Sequence, residues 1–176
     1  VEELFKTADA ALYHAKDSGR DCFQFFSSAL NDAALQRLLL EGHLRRAVQN
    51  DELVAYFQPQ VDGRTNRVVA VEALMRWNRP EAGLIAPAQF IHVAEESGSI
   101  HELGRWILHK SSSESMARGW HARGVNVAVN ISAQQFKRPD VVDTLLEAVT
   151  ASRLSPSAVS LEIPASALAH HARSVT

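Results

Sequence analysis

The chain has 176 residues, 46% of them hydrophobic and 22% charged, with a formal net charge of -2 at pH 7. That balance fits a soluble globular chain and, lacking a basic excess, argues against duplex nucleic acid as a partner. The single cysteine, Cys22, excludes an intramolecular disulfide and a cysteine-cluster zinc site, and no apolar run reaches the roughly 20 residues of a membrane-spanning helix.

The sequence opens at Val1 inside a helical pattern, with neither an initiator methionine nor a signal peptide, which reads as a cut end. Leu4, Phe5, Ala8, Ala11, Leu12 and Ala15 recur every three or four positions, predicting an amphipathic helix to about Asp17, with Gly19 as its stop. Cys22 to Phe26 is a short apolar strand candidate, and both elements need a core from residues outside this chain. Leu35, Leu39, Leu40, His43, Leu44 and Ala47 then mark a connecting helix within 27–50. Leu53 to Val61 alternates as a strand, with Val54, Tyr56, Gln58 and Gln60 on one side and Ala55, Phe57 and Val61 on the other; Asp62-Gly63 makes the turn.

Val68 to Trp77 reads as the next strand, followed by a Pro- and Gly-bearing loop over 78–85. Pro87 opens a helix carrying Phe90, Ile91 and Ala94 that stops at Gly98. A longer helix runs from about His101 to Ala122, with Leu103, Trp106, Ile107 and Trp120 as core residues. Val125 to Ser132 is a strand, and a helix from Pro139 follows, its buried stripe formed by Val141, Val142, Leu145, Leu146 and Val149. The last strand, Val159 to Ile163, points Glu162 inward and ends at Pro164; the Ala-rich residues 165–176 are compatible with a helix.

From Leu53 onward this order predicts an α/β fold on a mostly parallel sheet, in which ligands sit at the C-terminal strand ends. The 68–77 strand stands out because Glu72 and Arg76 interrupt an apolar run. Glu72, Leu74 and Arg76 share one face, and Val71, Ala73, Met75 and Trp77 the other. A glutamate here needs a partner to offset its desolvation. Arg76 lies about 13 Å further along the strand, a spacing better suited to two groups gripping one extended ligand than to an ion pair. Successive strands deliver Gln58, then Glu72 and Arg76, then Asn130, then Glu162 in their later halves. Glu72, Asn130 and Glu162 are hard oxygen donors suited to Mg²⁺, Mn²⁺ or Ca²⁺, and Arg76 offers the planar fork that phosphates favour. Taken alone, Asn130 also reads as a cap on the loop that follows it.

Two resemblances organise these observations. Ala8-Asp9-Ala10-Ala11-Leu12-Tyr13-His14-Ala15-Lys16 with Gly19-Arg20-Asp21 resembles the last helix and strand of the GGDEF family, the diguanylate cyclase fold, and covers about the first 26 residues. The family's naming loop is absent, so cyclase activity is not expected here. Tyr56-Phe57-Gln58-Pro59-Gln60-Val61-Asp62, Glu72-Ala73-Leu74-Met75-Arg76-Trp77, Phe90-Ile91 with Ala94-Glu95, Asn130-Ile131-Ser132 and Leu161-Glu162-Ile163 resemble, in order, the EAL family of cyclic di-GMP phosphodiesterases, from about Leu40 to Leu168. The resemblance implies a TIM-like (β/α) barrel whose first strand runs antiparallel to the rest. It implies Glu72, Asn130 and Glu162 as ligands of Mg²⁺ or Mn²⁺, and Gln58, Leu74 and Arg76 as contacts to cyclic di-GMP, Arg76 at a phosphate. The implied reaction is metal-assisted hydrolysis of one phosphodiester to the linear dinucleotide pGpG.

The expected domain map is a GGDEF remnant over 1–26, a connecting helix over 27–50 and the N-terminal part of an EAL domain over 51–176. The family pattern Glu-Ile-Thr-Glu-Ser reads here as Glu162-Ile163-Pro164-Ala165-Ser166, without the second glutamate, which puts activation and dimer-linked control in doubt. A TIM barrel takes about 250 residues, so about half of one is expected here. The resemblance places the family's Asp pair, Lys, and later Glu and Gln beyond Thr176, leaving no complete catalytic set. The expectations are therefore a cytoplasmic bacterial signalling chain, its parent allowed a membrane anchor, with little or no hydrolase activity alone. A half-barrel with uncovered strand faces also makes a homodimer a candidate assembly. The alternatives are a non-catalytic cyclic di-GMP receptor and a protein-interaction module.

Overall fold

The computed structural model describes residues 2–17, 21, 23, 25, 26, 28–80 and 82–165. The chain divides into two compact units, Val1–His43 and Leu44–Thr176. In the first, helix α1 (Glu2–Asp17) bears out the three- and four-residue spacing. Its apolar residues Leu4, Phe5, Leu12 and Tyr13 are all more than half exposed. Phe23 and Phe25 meet edge to face, with ring centroids 5.5 Å apart. Of the strand candidate 22–26, Cys22 and Gln24 lie outside the described residues, and Phe23, Phe25 and Phe26 carry no strand pairing. Helix α2 (Ser28–Ala47) spans the division; its last turn buries Leu44 and Ala47 within the second unit.

The second unit is a mixed sheet with helices against one face. Its strands are β1 (Leu53–Val61), β2 (Val68–Arg79), β3 (Gly83–Ile85), β4 (Asn126–Asn130) and β5 (Val159–Glu162), in the order β1-β2-β4-β5 with β3 paired to β2. β1 is antiparallel to β2, whereas β2, β4 and β5 run parallel. The β1–β2 hairpin closes on Asp62, whose Oδ1 accepts bonds from the Arg64 and Thr65 backbone N–H groups and from the Thr65 hydroxyl. Those bonds, Thr65 N–H foremost, hold the Asp62 carboxyl below its ordinary pKa. Residues 78–85, expected as loop, instead extend β2 and turn back as β3, with Trp77 opposite Ile85 and Gly83 at a φ of 72° supplying the left-handed turn position.

The parallel joints need crossovers. Between β2 and β4 run a short 3-10 turn at Pro87–Gln89, α3 (Ile91–Ser97), ended by left-handed Gly98, and α4 (Ile100–Arg118). α5 (Ala133–Phe136) and α6 (Val141–Thr150) connect β4 to β5. α4 lies against β1, β2 and β4 and buries Leu103, Ile107 and Leu108 beside Ser111, Ser112 and Ser115. These small residues let the helix approach the sheet, although the Ser112 and Ser115 hydroxyls have no partner among the described residues. Trp106 and Trp120, expected in the core, are only half-buried; Trp120 stacks edge to face on Phe57 at 5.0 Å. The fully buried tryptophan is Trp77, which packs edge to face on Phe90 and donates its indole N–H to Glu52 at 2.9 Å. The α6 stripe is narrower than its periodicity predicts: Leu145 and Val149 are buried, Val142 and Leu146 exposed, because α6 meets α4 along one line. The helix expected over 165–176 lies outside the described residues beyond Ala165.

Candidate functional site

Side-chain alternation divides β2 as its sequence predicts: Val71, Ala73, Met75 and Trp77 are buried, while Glu72, Leu74 and Arg76 are half-buried on the other face. Register then decides what meets them. Antiparallel pairing sets Gln58 opposite Glu72 and Tyr56 opposite Leu74. Parallel pairing sets Ala128 beside Glu72 and Ser160 beside Ala128, and it aligns Asn130 with Glu162 at the strand ends. Paired residues share a face, so Gln58, Glu72, Leu74, Arg76, Asn130 and Glu162 all project to the side of the sheet away from α4.

The partner that Glu72 requires is Asn130, whose Nδ2 donates to Glu72 Oε1 at 2.7 Å. The Asn130 Oδ1 has no partner among the described residues, and the loop cap allowed for Asn130 is supplied instead by Ser132. The Ser132 hydroxyl accepts from Gln135 N–H while Gln135 Oε1 accepts from Ser132 N–H, a complete capping box at the start of α5. Glu162 Oε1 accepts a bond from Gln60 Nε2 at 3.0 Å. Arg76 pairs with neither glutamate: its Nη1 donates to the Met75 carbonyl at 2.8 Å and its guanidinium lies over the Tyr56 ring, 5.7 Å from the centroid. Gln58 is exposed and Leu74 half-buried beside it.

Two residues near this arrangement escaped sequence reasoning. Gln60 lies on the same strand face as Gln58, and that alternation is the signal that pointed to it. Glu52, just before β1, carried no local signal, because its indole partner is 25 residues away. Among the described residues no three His, Cys, Asp or Glu side chains gather as a metal cluster. The three oxygen donors expected as ligands are two carboxylates and one amide, with Asn130 close enough to Glu72 to share a ligand with it. Their chemistry fits a hard divalent cation and not zinc or copper.

Residues 41–176 match the EAL domain family, and the chain belongs to it. It is 41% identical over 163 residues to the bifunctional diguanylate cyclase/cyclic di-GMP phosphodiesterase MucR of Pseudomonas aeruginosa, covering 92% of this chain and 24% of MucR. It is 38% identical over 167 residues to the cyclic di-GMP phosphodiesterase PdeR of Escherichia coli, covering 94% of this chain and 25% of PdeR. The chain thus spans about a quarter of the length of these relatives. Its structure is similar to the PaMucR phosphodiesterase in complex with c-di-GMP, with a TM-score of 0.72 and 36% identity over 77% of this chain and 56% of that one. The FimX EAL domain of Xanthomonas citri, solved with c-diGMP, shares the fold at a TM-score of 0.68 and 21% identity, over 81% of this chain and 55% of FimX. The sheet with an antiparallel first strand is accordingly the front part of the TIM-like barrel of EAL domains.

Proposed function

We propose that residues 51–176 carry the first half of a cyclic di-GMP phosphodiesterase site. In this reading Glu72, Asn130 and Glu162 hold Mg²⁺ or Mn²⁺, and Gln58, Leu74 and Arg76 contact the dinucleotide. The observation that supports it most is the 2.7 Å contact of Asn130 with Glu72, on the strand ends where Asn130 also pairs in register with Glu162. Strand geometry brings together three oxygen donors from three strands, at the end of a barrel where ligands gather. When bound, the cation would polarise a phosphoryl oxygen and lower the pKa of an attacking water. Glu72 and Glu162 supply the negative charge that retains it. Asn130 adds a neutral oxygen. Arg76, steadied by the Met75 carbonyl and the Tyr56 ring, holds its planar fork on the same face for a phosphate. Leu74 stands between Glu72 and Arg76 as an apolar wall.

On this reading the three oxygen donors bind a cation and do not by themselves make a complete hydrolytic set, so little or no turnover is expected of these 176 residues alone. In the same reading, residues 1–26 are a GGDEF remnant, 27–50 a connecting segment, and the protein acts in the bacterial cytoplasm; no described helix is long and apolar enough to cross a membrane. Calorimetry with cyclic di-GMP, with and without Mg²⁺ or Mn²⁺, tests the proposal: binding should strengthen with the metal. Metal-independent binding would support a receptor instead. Efficient turnover by these 176 residues would refute the half-site. Sedimentation tests self-association through the uncovered sheet face, and a monomer that binds cyclic di-GMP rules it out as a requirement.

A further inference from the structure

A cavity of about 150 Å³ lies between α4, α5 and the start of α6, walled by His101, Arg105, Gln135, Arg138 and Asp140, with Val141 and Leu145 on its apolar side. None of the residues assigned above to metal or cyclic di-GMP lines it. We propose that this cavity binds a phosphate group, held by the Arg105 guanidinium, the Gln135 side-chain amide and the His101 imidazole.

Gln135 is 6% exposed, and its Oε1 is committed to the Ser132 N–H of the capping box. Its Nε2, by contrast, has no acceptor among the described residues. Gln135 lines the cavity, so this donor is placed to meet an acceptor there. The backbone of α4 makes room for it. A Cβ on Gly104 would come within 1.8 Å of Gln135 Nε2, so a residue without a side chain is what lets the amide lie against the helix.

The charges around the cavity are unbalanced. Arg138 is neutralised by Asp140 through a two-pronged contact, Nε to Oδ1 at 2.7 Å and Nη2 to Oδ2 at 2.5 Å. Arg105 has neither an ion pair nor a hydrogen bond among the described residues, which leaves one uncompensated cation beside the unused amide. His101 is kept below its ordinary pKa by burial first and then by the charges of Arg138 and Arg105, with Asp140 opposing them. Those surroundings disfavour the imidazolium, and a bound anion would oppose them. The donors come from different sides, from α4 and from the segment that opens α5, as the spread of oxygens on a phosphate requires and a planar carboxylate does not. Val141 and Leu145 form the apolar part of the remaining wall, beside Thr144.

The test is a titration of inorganic phosphate into the 176-residue chain, followed by NMR at the His101 ring and the Gln135 side-chain amide. The expected result is a saturable shift at both groups and a raised His101 pKa. Arg105→Gln, an exposed substitution, should weaken the effect about tenfold with an unchanged circular dichroism spectrum. Ethyl phosphate titrated in parallel separates the two sources of the group: tighter binding of the ester assigns the apolar wall to an organic phosphate, and equal binding indicates the free anion. An absent or unsaturable shift in the wild-type chain overturns the proposal. So does equal phosphate binding by the Arg105→Gln protein, or acetate binding as tightly as phosphate.

Discussion

The two faces of one sheet differ in what their residues are free to do. On the face toward α4, Val71, Ala73, Met75, Trp77, Val127 and Val129 are buried, and their identities answer to volume and to the approach of a helix. On the opposite face the same strands present Gln58, Glu72, Arg76, Asn130 and Glu162, exposed or half-buried, with Asn130 hydrogen-bonded to Glu72 and Glu162 to Gln60. A packed face tolerates little change in shape, whereas the polar face tolerates change in stability terms and concentrates its chemistry in a few atoms. The difference teaches that mutations on neighbouring β2 positions should report on separate properties.

The largest expected effect follows from removing the deepest side chain of the packed face. Trp77→Ala empties a fully buried indole site and removes the indole N–H bond to Glu52 Oε2; urea unfolding should show a loss of about 3–5 kcal/mol. On the polar face, Glu72→Gln keeps an acceptor for Asn130 but removes the charge. It should weaken metal-stimulated cyclic di-GMP binding by about tenfold to a hundredfold in calorimetry, while the urea midpoint moves by less than about 1 kcal/mol. If the two substitutions exchanged their effects, the division between the faces would fail.

Smaller effects sharpen the contrast away from the sheet. Gly104→Ala drives a methyl group into Gln135 Nε2 and should cost about 1–2 kcal/mol by displacing the capping-box residue, read as a lower thermal midpoint. Glu114, in contact with Lys110 at 3.2 Å and Arg118 at 2.8 Å, has its carboxyl pKa lowered from 4.5, first by the Arg118 bond and then by Lys110. Its folded pKa lies below the unfolded value, so the stabilisation is present above the ordinary glutamate range and fades as pH falls through the folded pKa. The side chains lie on the solvent side of α4, which limits the effect to about 0.3–0.5 kcal/mol per pair. Comparing wild type with Glu114→Gln in urea at neutral and acidic pH should show the gap closing on acidification.

Much of this was legible along the chain because the signals were local. The alternation in 68–77 assigned each residue of β2 to its face, and Asp62-Gly63 and Gly98 marked a turn and a helix end that the structure places there. Misread segments depended on contacts beyond a short window. Trp77, Asn78 and Arg79 pair antiparallel with Ile85, Leu84 and Gly83, despite the Pro- and Gly-bearing composition of 78–85 that signals loop. Val142 and Leu146 fit the helical period of α6 yet remain exposed, because the packing of that helix, mainly against α4, covers the narrow stripe of Leu145 and Val149.

The polar set Gln58, Glu72, Arg76, Asn130 and Glu162, its distribution over successive strands and the EAL character of the chain are legible in the amino-acid order alone, since alternation and motif order are properties of the covalent string. That Glu72 bonds Asn130 and not Arg76, and that Gln60 reaches Glu162 across 102 residues of sequence, emerges from the folded arrangement. It also revealed the spare amide of Gln135 facing a cavity under α4. Those outcomes follow from strand register and helix approach, which are fixed by packing between distant segments and are invisible to any local period.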